Sequence, residues 1–135
     1  MKYFKCGKCQ SLHKIDESKV GFGKCIIACR QCGVKNAMRF GPSLIAHSKS
    51  GQRKFELKLG ENKIGRDEQT SEADIKLDDK FLSRRHATVF VEQRNGKVLI
   101  SILDAMSLNG TFNRTRTRLR PGIKYPFNRY DYYVL

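Results

Sequence analysis

The sequence lacks long apolar runs. No stretch approaches the roughly 18 consecutive apolar residues of a membrane span, and residues 1–10 lack the apolar core of a secretory signal. We therefore expect no membrane partner and a cytoplasmic, reducing setting. In such a setting, clustered cysteines more often bind metal than form disulfides.

Acidic residues are scarce in the first part of the chain. Residues 1–54 hold 12 Lys and Arg against 2 Asp and Glu, a balance of +10, whereas residues 55–135 hold 15 against 11, a balance of +4. The first segment also has few large apolar side chains, yet it contains all 5 cysteines. These contrasts predict a small module held by something other than a hydrophobic core, followed by one ordinary domain.

Four of the cysteines form two CxxC pairs. Cys6 and Cys9 are separated from Cys29 and Cys32 by 19 residues, a spacing typical of two knuckles that close a tetrahedral Zn²⁺ site. Four thiolates make a structural site with no open position for a catalytic water. Two disulfides or free thiols are the alternative, and a redox role is weaker because no βαβ pattern surrounds the pairs. Cys25 is expected to be half-buried on a hairpin arm, although it could replace one ligand.

The run FKCGKCQSLHKIDESKVGFGKCIIACRQCGVKNAMRF resembles the short bacterial zinc-ribbon motif. The resemblance implies a metal-held, three-stranded ribbon, which we assign to residues 1–40, with His13 exposed rather than a ligand. Its basic face suits nucleic acid or another acidic surface, or serves only to solubilise the module. That face consists of Lys2, Lys5, Lys8, Lys14, Lys19, Lys24, Arg30, Lys35 and Arg39.

Residues 41–53, GPSLIAHSKSGQR, predict a flexible linker because they are rich in Gly, Pro and Ser and show no sustained period. From residue 54 to residue 135 the apolar residues alternate in short runs, which predicts antiparallel strands in a sandwich or barrel. The pair Asn95-Gly96 between two such runs predicts a hairpin with a type I′ turn. No stretch sustains a helical period.

Three short motifs fall between the predicted strands, where binding sites are usually built. They are Lys63-Ile64-Gly65-Arg66, Ser83-Arg84-Arg85-His86 and Leu108-Asn109-Gly110-Thr111. Together they supply guanidinium groups, a hydroxyl and an amide, which suit a phosphate monoester on a peptide. They do not suggest catalysis, because no carboxylate is evidently placed to orient the histidine and no oxyanion loop is visible.

The same motifs, in the same order and spacing, resemble the forkhead-associated (FHA) domain over residues 54–135. The resemblance implies an all-β protein, with an eleven-stranded FHA-type β sandwich that follows the small zinc-ribbon module. It also implies non-catalytic binding of phosphothreonine peptides by apical loops. The implied phosphopeptide contacts are Arg66, Ser83, Arg84 and Asn109. The implied loop-shaping residues are Gly65, His86, Gly110 and Thr111.

The sequence thus predicts a non-enzymatic adaptor that binds a threonine-phosphorylated protein and carries a structural Zn²⁺. The alternative is a nucleic-acid-binding ribbon in which the FHA domain serves only for assembly, and the charge of residues 1–54 motivates it. A hydrolase that uses Ser83 and His86 is a third, weaker hypothesis.

Overall fold

The chain is all-β in this computed structural model, which describes residues 2–16 and 23–135. It divides into two compact units, Met1–Lys58 and Leu59–Leu135. Within the described residues there are strands and turns but no helix, so no helix there is long and apolar enough to cross a membrane. The all-β fold predicted from the period-two alternation is confirmed.

Two antiparallel hairpins carry the cysteine pairs of the first unit. Strand β1 (Lys2–Lys5) pairs with β2 (Leu12–Ile15), and β3 (Gly23–Ala28) pairs with β4 (Lys35–Phe40). One CxxC lies in each turn, so the strands act as arms that present the knuckles. The resemblance implied a three-stranded ribbon, whereas the described strands form two separate pairs. The connection between the hairpins, which includes Lys19 of the basic face, lies outside the described residues.

A third hairpin occupies most of the segment for which the sequence predicted a flexible linker. Strand β5 (Ser43–Ser48) pairs with β6 (Gly51–Glu56) in full register, and the Leu57 N–H donates to the carbonyl of Pro42 at 3.0 Å. Its residues alternate only weakly between half-buried and exposed, which explains why a period of two was not recognised there. The local structure of residues 43–56 therefore corrects the flexible linker, while the predicted domain boundaries stay a prediction.

A five-stranded sheet forms the main part of the second unit, in the order β11-β10-β9-β7-β8. Strands β7 and β8 are parallel, and the other neighbours are antiparallel. The strands are β7 (Gly60–Arg66), β8 (Ile75–Leu77), β9 (Ala87–Arg94), β10 (Lys97–Asp104) and β11 (Lys124–Pro126).

The centre of this sheet follows the alternation in the sequence. In β9, the side chains of Ala87, Val89 and Val91 are buried while the residues between them are less so, because successive side chains of a strand point to opposite faces. The turn to β10 has positive φ at both Asn95 (50°) and Gly96 (77°). Positive φ at both central residues is the property of a type I′ turn, so the predicted hairpin is confirmed.

Beyond β10 the pairing is sparse among the described residues. Phe112 forms isolated bridges with Arg118 and with Val134, and Leu119 is buried. The resemblance implied eleven strands in this domain, whereas five strands and these two bridges are present between Leu59 and Leu135.

The sheet register brings three loops to one end. Ile64 of β7 and Asp104 of β10 both pair with Ala87 at the start of β9. Consequently, the segment after β7, the segment before β9 and the segment after β10 all emerge at the same end of the sheet. The Ser83 and Asn109 motifs lie in two of these segments, whereas Lys63–Arg66 forms the end of β7 itself and not a loop between strands as predicted.

Candidate functional sites

His86 joins two of these loops from a fully buried position. Its Nδ1 accepts a hydrogen bond from the Ser83 N–H at 3.2 Å, and its Nε2 lies 2.9 Å from the carbonyl oxygen of Gly110. A carbonyl can only accept and an N–H can only donate, so these partners select the neutral tautomer with the proton on Nε2. Both ring nitrogens are therefore engaged by backbone groups.

Asp104 organises the loop that follows β10. Its fully buried carboxylate accepts hydrogen bonds from the Ser107 hydroxyl at 2.5 Å, the Ser107 N–H at 3.2 Å and the Thr111 hydroxyl at 2.7 Å. The Gly110 N–H in turn donates to the Ser107 hydroxyl oxygen at 3.1 Å. Burying a charge is costly unless it is hydrogen-bonded, and these three donors satisfy the carboxylate.

Two glycines allow this close packing. A Cβ on Gly65 would lie 1.8 Å from the carbonyl oxygen of Arg84, so only glycine lets β7 approach the Ser83–His86 segment. Gly110 has φ of +88°, and a Cβ there would meet the Arg118 guanidinium at 2.7 Å. Gly65, His86, Gly110 and Thr111 thus all lie in the framework of the three loops.

Ser83 and Asn109 lie on adjacent loops and contact each other's segments. The Leu108 N–H donates to the Ser83 hydroxyl oxygen at 3.0 Å, and the Asn109 side-chain amide donates to the Phe81 carbonyl at 2.7 Å. The Ser83 hydroxyl accepts in this bond, so its own hydrogen stays available for a ligand. The structure brings together the hydroxyl and the amide that the sequence predicted as contacts.

Arg66 and Arg84 converge on one carboxylate. Nε and Nη2 of Arg66 each lie 3.0 Å from Oε2 of Glu68, and Nε of Arg84 forms an ion pair with Oε1 of the same residue. The Thr70 hydroxyl also donates to Oε1, at 3.1 Å. Arg85 points elsewhere and pairs with Glu72 at 3.3 Å, with both side chains largely exposed.

The environment of Glu68 favours its charged form. Burial raises the pKa of Glu68, but the hydrogen bonds from Thr70 and Arg66 and the charges of Arg66 and Arg84 outweigh it. The net effect lowers the pKa of Glu68 below its ordinary value. Glu68 is thus an anion held at the position where the sequence predicted two phosphate-binding cations.

Sequence reasoning did not identify Glu68, Asp104 or Ser107. Glu68 lies two residues after Arg66 in a polar loop that has no distinctive pattern. For Asp104, the signal in the sequence is an acid at the end of an alternating apolar run, followed three residues later by Ser107. Asp104 accepts from hydroxyls and a backbone amide rather than from His86.

The four predicted metal ligands converge in the first unit. The sulfur atoms of Cys6, Cys9, Cys29 and Cys32 all lie within 4.8 Å of one another. Cys6 and Cys32 are 3.6 Å apart at sulfur, as are Cys9 and Cys29. A disulfide bond is about 2.05 Å long, whereas sulfurs around Zn²⁺ at about 2.3 Å lie roughly 3.8 Å apart. The cluster can hold a metal ion and does not contain disulfides.

Hydrogen-bond donors favour thiolates in part of this cluster. The hydrogen bond from the Ser11 side chain lowers the pKa of Cys29, and burial raises it. Backbone N–H groups and His13 lower it further, and the net result is a pKa of about 5. The Val34 N–H favours the Cys32 thiolate, but burial and the three neighbouring sulfurs outweigh it and raise the pKa of Cys32 to about 11. Four thiolates thus repel one another unless a cation lies between them.

His13 contacts the cysteine cluster, whereas Cys25 lies outside it. His13 was expected to be exposed, but it is half-buried, stacks on Phe4 with 5.0 Å between ring centroids, and lies 3.1 Å from the Cys29 sulfur through Nε2. Cys25 lies on β3 opposite Met38 and is not part of the four-sulfur cluster.

The comparisons with known proteins concern the second unit. The family model of the FHA domain matches residues 62–128, which excludes the cysteine cluster. Among curated proteins, none matches the chain significantly. The matched segment spans all three loops described above.

Several solved structures share the fold. Full-length yeast Pml1p is 19% identical with a TM-score of 0.55, and the match covers 66% of this chain and 66% of that one. A structure from a study of phosphothreonine-dependent FHA domain interactions is 23% identical, with a TM-score of 0.53 and coverage of 68% and 82%. Mycobacterium tuberculosis EmbR with a low-affinity phosphopeptide is 24% identical, with a TM-score of 0.52. The match covers 69% of this chain but only 22% of EmbR.

These findings concern the fold and family of the second unit. The family match and the shared fold support an FHA domain there. The four-cysteine cluster in the first unit is compatible with a small metal-binding module.

Proposed function

We propose that this protein is a non-enzymatic adaptor whose FHA domain binds phosphothreonine peptides through Arg66, Ser83, Arg84 and Asn109. The observation that carries the proposal is that the end of β7 with Arg66 and the loops of Ser83 and Asn109 lie at one end of the sheet. The match to the FHA family and the phosphopeptide bound by EmbR support the ligand class.

Each contact has a distinct chemical task. Phosphothreonine carries about 1.5 to 2 negative charges, and Arg66 and Arg84 supply the opposing charge. Ser83 donates its hydroxyl hydrogen to a phosphate oxygen, and Asn109 binds the peptide backbone beside it. Charge-assisted hydrogen bonds contribute roughly 1.5 to 3 kcal/mol each. After the cost of ordering a peptide, affinity on the order of micromolar follows.

The loop contacts of Ser83 and His86 favour binding over catalysis. A serine nucleophile needs a base on its hydroxyl, but the His86 Nδ1 accepts from the Ser83 backbone N–H and its Nε2 donates to the Gly110 carbonyl. No free ring nitrogen is left to take a proton from the Ser83 hydroxyl. This supports a binding site rather than the hydrolase hypothesis.

We also infer that the four cysteines hold a structural Zn²⁺. Sulfur separations near those of a tetrahedral site and the all-thiolate donor set support Zn²⁺. When bound, the ion supplies folding energy to the first unit rather than chemistry, because all four positions are taken by sulfur. Thiol ligands agree with a reducing, cytoplasmic setting.

No observation favours the alternative function in nucleic-acid binding. The comparisons name phosphothreonine and phosphopeptides as ligands of relatives, and none of them supports nucleic acid. The positive charge of residues 1–54 remains compatible with a solvated face.

The test is a titration of the full chain with degenerate phosphothreonine peptides and with their unphosphorylated counterparts. We expect selective binding of the phosphorylated pool and at least a tenfold loss for Arg66→Ala. Arg85→Ala is the matched control, because its exposed pair with Glu72 lies outside the proposed contacts. Equal binding of both pools, or no effect of Arg66→Ala, contradicts the proposal.

A further inference from the structure

Glu68 pairs with Arg66 and Arg84, the two cations that the proposed site assigns to phosphate. Its two carboxylate oxygens are shared between the cations, Oε2 with Arg66 and Oε1 with Arg84. Only 25% of the Glu68 side chain is exposed, compared with 64% for Arg84. An anion held by two guanidinium groups, one from the end of β7 and one from the segment before β9, resembles a bound ligand more than a solvated surface residue.

The arrangement has an energetic consequence for any incoming anion. A guanidinium offers its donors in a fixed fork, so the donors that face Glu68 cannot bind another oxygen at the same time. A ligand that uses these same donors, Nε and Nη2 of Arg66 and Nε of Arg84, must therefore displace Glu68 from both arginines. Glu68 lies in the turn after β7, where its carbonyl accepts from the Ser71 N–H at 3.1 Å. A change of side-chain rotamer can move the carboxylate away from both arginines.

From this geometry we propose that Glu68 is an intramolecular competitor that occupies the cations of the site and lowers its affinity for every anionic peptide, so that only anions bound as strongly as a phosphate dianion fill the site. The inference rests on the proposed function and deepens it. A glutamate or aspartate in a peptide carries one charge, as Glu68 does, and must also be brought in from solution. It gains no charge by the exchange, whereas phosphothreonine brings about 1.5 to 2 charges and three acceptor oxygens.

The competition predicts a rise in affinity without a change in selectivity. Removing the charge of Glu68 frees both arginines, so affinity for every anionic peptide rises. The factor is the same for each peptide, because the free energy of displacing the carboxylate does not depend on the ligand that displaces it. A residue that only supports the loop would instead lower the affinity for all peptides together.

The experiment compares the full chain, wild type and Glu68→Gln, with Glu72→Gln as the matched control. Glutamine keeps the size of glutamate. Among the described ion pairs, Glu72 takes part only in the one with Arg85. The probes are a degenerate phosphothreonine peptide pool and the same pool with glutamate at the phosphothreonine position. Circular dichroism establishes that each variant is folded.

We expect Glu68→Gln to bind the phosphothreonine pool roughly three- to tenfold more tightly, the value of one or two partly exposed ion pairs. The affinity for the glutamate pool should rise by the same factor, so the preference for phosphothreonine stays unchanged, and Glu72→Gln should match wild type. If wild type binds phosphothreonine selectively and Glu68→Gln leaves both affinities unchanged or lowers them, the competitor role is overturned and the proposed function stands. If neither protein distinguishes the pools from unphosphorylated peptides, the proposed function fails, and the competitor role with it.

Discussion

The Nε2–H group of His86 donates to the carbonyl of Gly110 at 2.9 Å, and this bond joins the loop of Ser83 to the loop of Asn109. The two residues are 24 positions apart in the chain. His86 thus holds the loops of Ser83 and Asn109 at a fixed distance from each other, although its side chain is of a kind often found in catalysis.

Replacing His86 should destabilise the second unit. His86→Ala leaves the Ser83 N–H and the Gly110 carbonyl without their partner and opens a cavity in a fully buried position. We expect the free energy of unfolding to fall by about 2 to 4 kcal/mol, as measured by urea denaturation. The exposed neighbour Arg85→Ala should change it by less than about 0.5 kcal/mol. Equal effects of the two substitutions would contradict the bridging role.

Asp104 should prove as important for the loop after β10. In Asp104→Asn, one of the two acceptor oxygens becomes an NH₂ group. It faces either the hydroxyls of Ser107 and Thr111, if it replaces Oδ1, or the Ser107 N–H, if it replaces Oδ2. We expect a loss of about 1 to 3 kcal/mol of stability and weaker phosphopeptide binding, because Asn109 lies in this loop. Asp78→Asn, at an exposed position, is the control for calorimetry and peptide titration. A neutral result at Asp104 would show that its hydrogen bonds do not hold the loop.

The cysteine cluster predicts one metal ion per chain. Cys6→Ser should lose the ion, whereas Cys25→Ser should retain it, because Cys25 lies outside the four-sulfur cluster. Metal content of the purified protein, measured by atomic absorption, checks both. A strong chelator should unfold the first unit of wild type, since metal binding supplies its folding energy. Metal retained by Cys6→Ser but lost by Cys25→Ser would mean that Cys25 is the true ligand.

The lowered pKa of Glu68 predicts a pH-dependent contribution to stability. Because the folded protein favours the ionised carboxylate, the contribution is fully present above the ordinary value of 4.5. It is lost as the pH falls through the lower folded pKa. Wild type should melt at a higher temperature than Glu68→Gln at pH 7, and the gap should close below pH 4.5. Glu72 belongs to an exposed ion pair, so the melting temperature of Glu72→Gln should differ little from that of wild type at either pH. A melting-temperature difference between wild type and Glu68→Gln that grows in acid would contradict the lowered pKa of Glu68.

Much of the fold could be predicted from local patterns. Alternation over Ala87, Val89 and Val91 correctly predicted a strand, and Asn95-Gly96 predicted the turn that follows it. The alternation works because side chains of a strand face the core at every second position. The hairpin of residues 43–56 escaped prediction because its strands are mostly exposed and leave little apolar pattern.

The candidate site was predicted only in part. Arg66, Ser83 and Asn109 were predicted from three motifs; Arg66 ends strand β7, while Ser83 and Asn109 lie on loops at the same end of the sheet. The roles assigned to them stay a prediction. Glu68 was not predicted, because nothing in its immediate sequence shows that Arg66 and Arg84 both point toward it.

The sequence by itself determined the period-two strands, the tight turn at Asn95 and the two CxxC pairs, since each depends on residues a few positions apart. The tertiary structure alone decided which loops meet. The pairing of Ile64 with Ala87 and of Ala87 with Asp104 is long-range, and it sets the register that brings the loops together. The burial of Asp104 and the anion between two arginines follow from that register, because buried charge persists only where distant donors converge on it.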